Sequence, residues 1–284
     1  MPEFRTVKIS RILNPTSIDL GEYVINPYMG CEFACLYCYV RFNKVISRKK
    51  DPWGTYVDIR VNAPQLLEKE ILLKKPSSVL LGSTTECFQD IEKKYKITKQ
   101  ILEILNRYKV YFTILTRSTY LREYIGLLNK GFCKKIYFTI NNIHPSLKAR
   151  LEGKSHPYDE RFKVINELID KGIDIIPYFS PILPWVSDFK GLLSEFPKAR
   201  SIEFEGLNFR VGNIEKIIDT ISSLYPHLRP RYERLLKDRL YYNEFWNSVK
   251  KDILKEAKIA KKNYNVYIHN FGSYFNNAYS EKLS

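Results

Sequence analysis

The chain has 284 residues, 44% of them hydrophobic and 27% charged, which suits one large globular domain or a core with an appendage. It contains no run of 18 apolar residues, so no membrane span is expected, and the polar start MPEFRTVKIS lacks a secretory signal's apolar stretch; the expectation is a cytoplasmic protein. Against 31 Asp and Glu stand 46 Lys and Arg, a net charge of +15 that suits a nucleic acid partner, or else the solvated Lys-rich surface of a protein that works hot.

The first 20 residues read as an extended arm, with Pro15 marking a turn. Strands are expected near Tyr23–Asn26, Ser78–Gly82, Val110–Leu115, Lys135–Ile140, Ile173–Phe179 and Ser201–Glu205. Helices are expected between them at Ala63–Leu73, Lys96–Tyr108, Leu121–Lys130, Asp159–Lys171 and Lys190–Phe196. Their apolar residues recur near every 3.6 positions, as Ile101, Ile104 and Leu105 do. Gly131 and Gly172 stand just past two of these helices, where carboxy-terminal caps belong. Alternating strands and helices imply crossover units and a parallel sheet, either an incomplete barrel or an open sheet. After Arg210 the pattern turns helical, and Arg229–Lys262 is rich in Lys, Arg, Tyr and Leu. A strand-like piece, Asn265–His269, precedes a polar tail, Gly272–Ser284. The division expected is an arm over 1–20, a core over 21–210 and a basic helical extension over 211–284.

Five cysteines, unevenly spaced, argue against a disulfide framework. Three of them fall in Asn26-Pro-Tyr-Met-Gly-Cys31-Glu-Phe-Ala-Cys35-Leu-Tyr-Cys38-Tyr39, a stretch whose Pro and Gly place it on a loop. A loop can fold three thiolates around one cluster, whereas a straight strand points alternate side chains apart. Soft thiolates suit iron–sulfur clusters and zinc alike. A closed zinc site needs four ligands, and the nearest further candidates are Cys87 and His144. Three ligands with one iron left open favour a cluster that binds a substrate or cofactor.

The spacing C-x3-C-x2-C, with Tyr37 before the last cysteine, resembles the signature of the radical S-adenosylmethionine (SAM) superfamily. More narrowly, NPYMGCEFACLYCY resembles the spore photoproduct lyase-like, or DNA repair photolyase-like, branch. So do VNAPQLLEKEI (61–71), LLGSTTECFQDIEKKYKITKQILEIL (80–105) and ILTRSTYLREYIGLL (114–128). LEGKSHPYDERFKVINELIDKGI (151–173) and SPILP (180–184) match more loosely, and the resemblance spans roughly residues 20–190. It implies an α/β fold, a partial (β/α)6 TIM-like barrel with an N-terminal arm and a helical C-terminal extension. It also implies a 4Fe–4S cluster held by Cys31, Cys35 and Cys38, whose open iron chelates SAM, and a protein reductant such as ferredoxin or flavodoxin. Reductive cleavage then yields methionine and a 5′-deoxyadenosyl radical that abstracts hydrogen from substrate.

The resemblance also assigns roles. Gly82, Ser83, Thr84 and Glu86, after the second strand, would contact the methionine amino group; an ordinary βα loop is the alternative. Asn141 and Asn142 would touch the ribose, or serve a local turn. Glu152 and Arg161 match a Glu…Arg pair of the family, or a surface ion pair. Arg117, after Thr116, would reach a substrate phosphate or solvent. Tyr37 and Tyr39 match tyrosines linked to radical relay in the lyase, while stacking on adenine or packing is the commoner role of such tyrosines across the branch. Where the lyase carries a hydrogen-donating cysteine this chain has Ser83, whose O–H bond is too strong to serve likewise, so thymine-dimer reversal is not the expected reaction. Cys87, four residues on, stands as a substitute donor or as a buried structural cysteine. The stretch Arg229–Arg239 mixes basic and aromatic residues, as a nucleic acid surface or a packed amphipathic helix does. The leading expectation is radical chemistry on a nucleic acid base or lesion. Modification of a protein, peptide or small metabolite is the first rival, and a non-enzymatic zinc-binding nucleic acid module the second.

Overall fold

The computed structural model describes residues 2–42 and 51–272, and these fall into two compact units. Residues 2–34, 40–42, 51–138 and 154–175 make the first; residues 35–39, 139–153 and 176–272 make the second.

Strands in chain order begin with β1 (Glu3–Val7), β2 (Asn14–Pro15), β3 (Tyr23–Ile25), β4 (Tyr28–Gly30) and β5 (Tyr56–Arg60). They continue with β6 (Ser78–Leu81), β7 (Tyr111–Thr116), β8 (Cys133–Ile140), β9 (Ile175–Ile182), β10 (Ser201–Gly206) and β11 (Asn263–Tyr267). In the first unit β3, β6, β7 and β8 pair in parallel, with β2 antiparallel on β3. Register aligns Ile25, Leu81, Ile114 and Ile136 as one apolar row across four strands, and all four are fully buried. Parallel strands covered on both faces read as near-continuous apolar runs, which is why the sequence revealed them. The helices Ala63–Lys74, Ile97–Arg107 and Tyr158–Asp170 cover this sheet, the second through Ile97, Ile101, Leu102, Ile104 and Leu105.

The first 20 residues, expected as an extended arm, pair into the first unit. β1 pairs in parallel with β5, β5 pairs antiparallel with β4, and Pro15 lies in β2 rather than at a turn. Ile12 and Leu13 are wholly buried, and their N–H groups donate to the Glu70 carboxylate at 2.7 and 3.1 Å. Lys74 pairs with Glu70 at 2.6 Å and donates to the Leu13 carbonyl at 3.0 Å, so buried backbone groups find partners there.

Two expected helices are shorter and tighter. Over Leu121–Lys130 the chain makes a 3-10 turn, Thr119–Tyr124, and then only Ile125–Leu128 is α-helical. Leu121 and Tyr124, buried and three residues apart, suit a three-residue turn. Over Lys190–Phe196 only a 3-10 turn, Leu192–Glu195, forms, between left-handed Gly191 and Pro197, which disfavours helix at Phe196.

In the second unit β9, β10 and β11 are parallel neighbours, with Phe204 of β10 beside Phe179 and Val266. The helices Ile214–Ser222, Arg229–Lys237 and Arg239–Ala260 belong to the same unit, so the compact units do not follow the division at residue 210. Trp246 packs so closely on β10 that a Cβ at Gly206 would meet its ring at 2.7 Å. Tyr232 donates to the Pro184 carbonyl at 2.7 Å and Tyr242 to that of His269 at 2.5 Å. Within Arg229–Arg239 one face packs, with Tyr232 and Leu235 wholly buried, as the amphipathic-helix reading expects. No helix among the described residues is long and apolar enough to cross a membrane. The expected tail Gly272–Ser284 lies outside the described residues, apart from Gly272.

Candidate active site

The cysteine loop leaves β4 at Gly30, whose φ of +92° and crowding by the Tyr56 carbonyl, 2.2 Å from a would-be Cβ, admit only glycine. Two successive reverse turns follow: Ala34 N–H donates to the Cys31 carbonyl at 3.3 Å and Cys38 N–H to that of Cys35 at 3.2 Å. In the first unit Gln89 accepts from Glu32 N–H at 2.8 Å, and Glu32 accepts from Ile91 N–H at 2.7 Å. In the second unit Leu36 N–H donates to the Leu151 carbonyl at 2.8 Å, and Asn213 donates to the Leu36 carbonyl. Cys35 is buried, Cys31 and Cys38 are half-buried, and none is in a disulfide. Three uncrosslinked thiols on consecutive turns are a donor set that fits a cluster with three protein ligands. No three His, Cys, Asp or Glu side chains among the described residues converge as the ligands of a single ion would.

The turn after β6 is built for shape. Gly82 has φ +86°, and a Cβ there would meet the Leu115 carbonyl at 2.5 Å. Asn26 donates to Ser83 Oγ at 3.2 Å and accepts from Thr84 N–H at 3.0 Å, while Thr85 donates to the Gly30 carbonyl at 2.6 Å. Gly82 and Thr84 stay half-buried, whereas Ser83 and Glu86 are buried. The Glu86 carboxylate accepts from Thr116 Oγ1 at 2.7 Å, Arg117 N–H at 2.9 Å and Phe88 N–H at 3.0 Å. Burial raises its pKa despite these bonds. It braces the start of the next loop, and its oxygens face protein donors. Cys87 is fully buried, and burial, then the charges of Glu86, Glu92 and Cys31, push its thiol far above the ordinary range, so it stays an S–H.

Arg161, fully buried in the first unit, donates to the His156 carbonyl at 3.0 Å and to Ser155 Oγ at 2.5 Å, and lies 5.0 Å over the Tyr158 ring. Glu152, fully buried in the second, accepts the Tyr37 hydroxyl at 2.5 Å. Neither is a surface group, which removes the surface ion pair as an account of them. Asn141 is also fully buried: it donates to the Pro181 carbonyl at 2.7 Å and accepts from Asn142 N–H at 2.8 Å and Ser187 Oγ at 3.0 Å. These bonds make it a brace between the end of β8 and the loop after β9, while Asn142 stays half-buried. Tyr39, unlike Tyr37, is more than half exposed.

Sequence reasoning passed over Asn26, Gln89 and a polar group on β9 to β11: Tyr178, Ser180, Glu205 and His269. Glu205 closes an expected strand, and a carboxylate at a strand's carboxyl end in an α/β protein was the available signal.

A loop with three cysteines, followed by parallel βα units with polar turns at the strands' carboxyl ends, defines an α/β cluster-binding enzyme. Residues 25–189 match the Radical SAM superfamily, and the chain belongs to it. Members use a 4Fe–4S cluster and SAM, so this is a radical SAM enzyme, and the non-enzymatic zinc module is set aside. The chain is 30% identical over 251 residues to the uncharacterized protein MJ0683 of Methanocaldococcus jannaschii, covering 88% of this chain and 94% of that one. It is 24% identical over 244 residues to the uncharacterized protein Rv2578c of Mycobacterium tuberculosis, covering 81% and 71%. Among solved structures, spore photoproduct lyase complexed with dinucleoside spore photoproduct superposes with a TM-score of 0.56 at 16% identity. The match covers 78% of this chain and 66% of the lyase, a likeness of fold.

Proposed function

We propose that Cys31, Cys35 and Cys38 hold the 4Fe–4S cluster and that the enzyme acts on a nucleic acid base or lesion. The observation that carries the first part is the run of three uncrosslinked thiols on two consecutive reverse turns. Bound there, the cluster and SAM supply a 5′-deoxyadenosyl radical for hydrogen abstraction. The half-buried edge of Gly82 and Thr84 receives the methionine end of SAM, and Asn26 and Glu86 keep that turn in shape. Tyr37 and Glu152 anchor the cysteine loop from within the second unit, and Asn142 is the ribose contact in preference to the fully engaged Asn141. A ferredoxin- or flavodoxin-like protein is the electron donor.

The nucleic acid assignment draws on the +15 charge and on the lyase of like fold, which is complexed with a dinucleoside photoproduct. Ser83 in place of a hydrogen-donating cysteine points to a reaction other than dimer reversal. The test is to reconstitute the cluster anaerobically, add dithionite and SAM, and follow 5′-deoxyadenosine with DNA, RNA and peptide substrates. Cys35→Ala is expected to abolish the product. Salt-sensitive binding of DNA or RNA is expected, and its absence would shift the substrate to a peptide or metabolite.

A further inference from the structure

The helix Arg239–Ala260 of the second unit turns one side inward, where Tyr242, Trp246, Val249, Ile253 and Ala257 are buried at spacings of three and four. With successive residues about 100° apart, Lys251, Lys255 and Lys258 fall together on the opposite side, and all three are exposed. The rise of a helix sets them in a line about 10 Å long. None of the three takes part in an ion pair among the described residues.

Cations on other helices of this protein have an acid one turn away. Lys74 pairs with Glu70 at 2.6 Å, Lys99 with Glu103 at 3.9 Å, Arg229 with Glu233 at 3.4 Å and Arg234 with Asp238 at 3.1 Å. Here a lysine stands one turn from a lysine, and like charges at that spacing repel and weaken a helix. The acids of the same helix do not relieve the row. Glu244 lies two turns before Lys251, Asp252 projects about 100° round from it, and Glu256 accepts from Gly191 N–H at 2.9 Å. The negative end of the helix dipole accounts for Lys258 in the last turn, but not for Lys251 and Lys255 before it.

The shape of this charge selects its partner. A membrane surface takes up the apolar side of an amphipathic helix, and that side is already buried here. A protein interface needs an apolar centre, and beside the row only Ile259 is a largely exposed apolar residue. A line of positive points fits a linear polyanion, whose phosphates recur along the strand. We propose that Lys251, Lys255 and Lys258 bind the sugar–phosphate backbone of a nucleic acid, supplying affinity without reading bases. The assignment rests on the nucleic acid reading above and names the helix that carries the strand.

The test uses the full chain with its cluster reconstituted, titrated anaerobically against labelled duplex DNA and single-stranded RNA over a series of salt concentrations. Replacing the three lysines together by Gln, itself a good helix former, should lower the slope of log affinity against log salt by two to three units. Each phosphate contact accounts for roughly 0.7 on single strands and 0.9 on duplex. SAM affinity and melting temperature should hold. A control removing the same charge at Lys69, Lys94 and Lys130, exposed in the first unit, should move the slope by less than about one unit. A slope that stays within about one unit of wild type, or falls equally in the control, overturns the role of this helix while the nucleic acid reading stands. Loss of binding to phosphatidylserine vesicles with the nucleic acid slope intact would assign the row to a lipid surface and overturn it too. If the wild-type protein shows no salt-sensitive binding of DNA or RNA, both readings fall together.

Discussion

Glu92 shows what a single buried carboxylate does in this fold. It is fully buried and accepts from the Tyr28 hydroxyl, the Tyr124 hydroxyl at 2.8 Å, Thr98 N–H at 2.9 Å and Lys99 N–H at 3.0 Å. Two of those donors are first-turn N–H groups of Ile97–Arg107, which no intrahelical partner can satisfy. Burial, then the charge of Glu92, push both phenols above the ordinary tyrosine range, so they remain donors. Glu92→Gln would set an amide NH2 against this ring of donors, and urea unfolding should show a loss of about 3 kcal/mol. A change under about 0.5 kcal/mol would mean that the donors find other partners. Glu205 adds a pH-dependent contribution of known sign. Burial alone would raise its pKa, but the bonds from His269, Ser180 and Tyr178 outweigh it and lower the folded value from 4.5, so its stabilisation is whole above 4.5 and is lost as pH falls through the folded value. The melting-temperature gap between wild type and Glu205→Gln should therefore narrow from about pH 6 to about pH 3; a gap that widens on acidification would contradict the assigned ionisation. Both carboxylates escaped the sequence, because their partners are remote: Tyr28 lies 64 residues from Glu92 and Ser180 lies 25 from Glu205. The three cysteines were legible for the opposite reason, since their spacing is local.

Elements were legible where burial makes a simple pattern. SVLL of β6 and YFTILT of β7 are apolar runs because the sheet is covered on both sides, and Ile97–Arg107 shows a regular helical stripe. EFRTV of β1 and YVDIR of β5 carry charges, and β4 spans only three residues, so none announced itself as a strand. Glycine roles divide in the same manner. Gly82 and Gly131 have nearly equal φ, +86° and +87°, yet a Cβ on Gly82 would meet the Leu115 carbonyl at 2.5 Å, while around Gly131 nothing lies within 4 Å. Gly131→Ala should cost only the left-handed backbone penalty, about 1 kcal/mol. Gly82→Ala must also displace the end of β7, and about 3 kcal/mol or more is expected in denaturant unfolding. Because Glu86 ties this turn to Thr116 and Arg117, the same variant should weaken SAM binding, whereas Gly131→Ala should not. Equal losses in the two variants would show that the turn yields freely.

For the whole molecule, the +15 charge was the broadest signal, and the structure shows that two of its cations in the basic carboxy-terminal stretch are paired with acidic neighbours. The stretch from Arg229 to Arg239 looks like a basic surface when read as a string. In the folded chain Arg229 pairs with Asp219 and, at 3.4 Å, with Glu233, and Arg234 pairs with Asp238 at 3.1 Å while stacking 4.2 Å over the Tyr241 ring. Exposed pairs like these contribute little to stability, but each guanidinium already has an acidic neighbour that lowers the local potential. A phosphate approaching Arg229 or Arg234 meets a guanidinium already neutralised by its neighbour, so any polyanion attraction comes from other cations of the chain, with Arg231, Lys237 and Arg239 of the same stretch among them. Replacing Arg229 and Arg234 together by Gln should therefore leave the slope of log affinity against log salt for DNA within about one unit of wild type, since one phosphate contact accounts for roughly 0.9. Were both arginines facing phosphates, the slope would shrink by about two units, and the helix Arg229–Lys237 would have to be counted in the nucleic acid surface as well as in the packing of its unit.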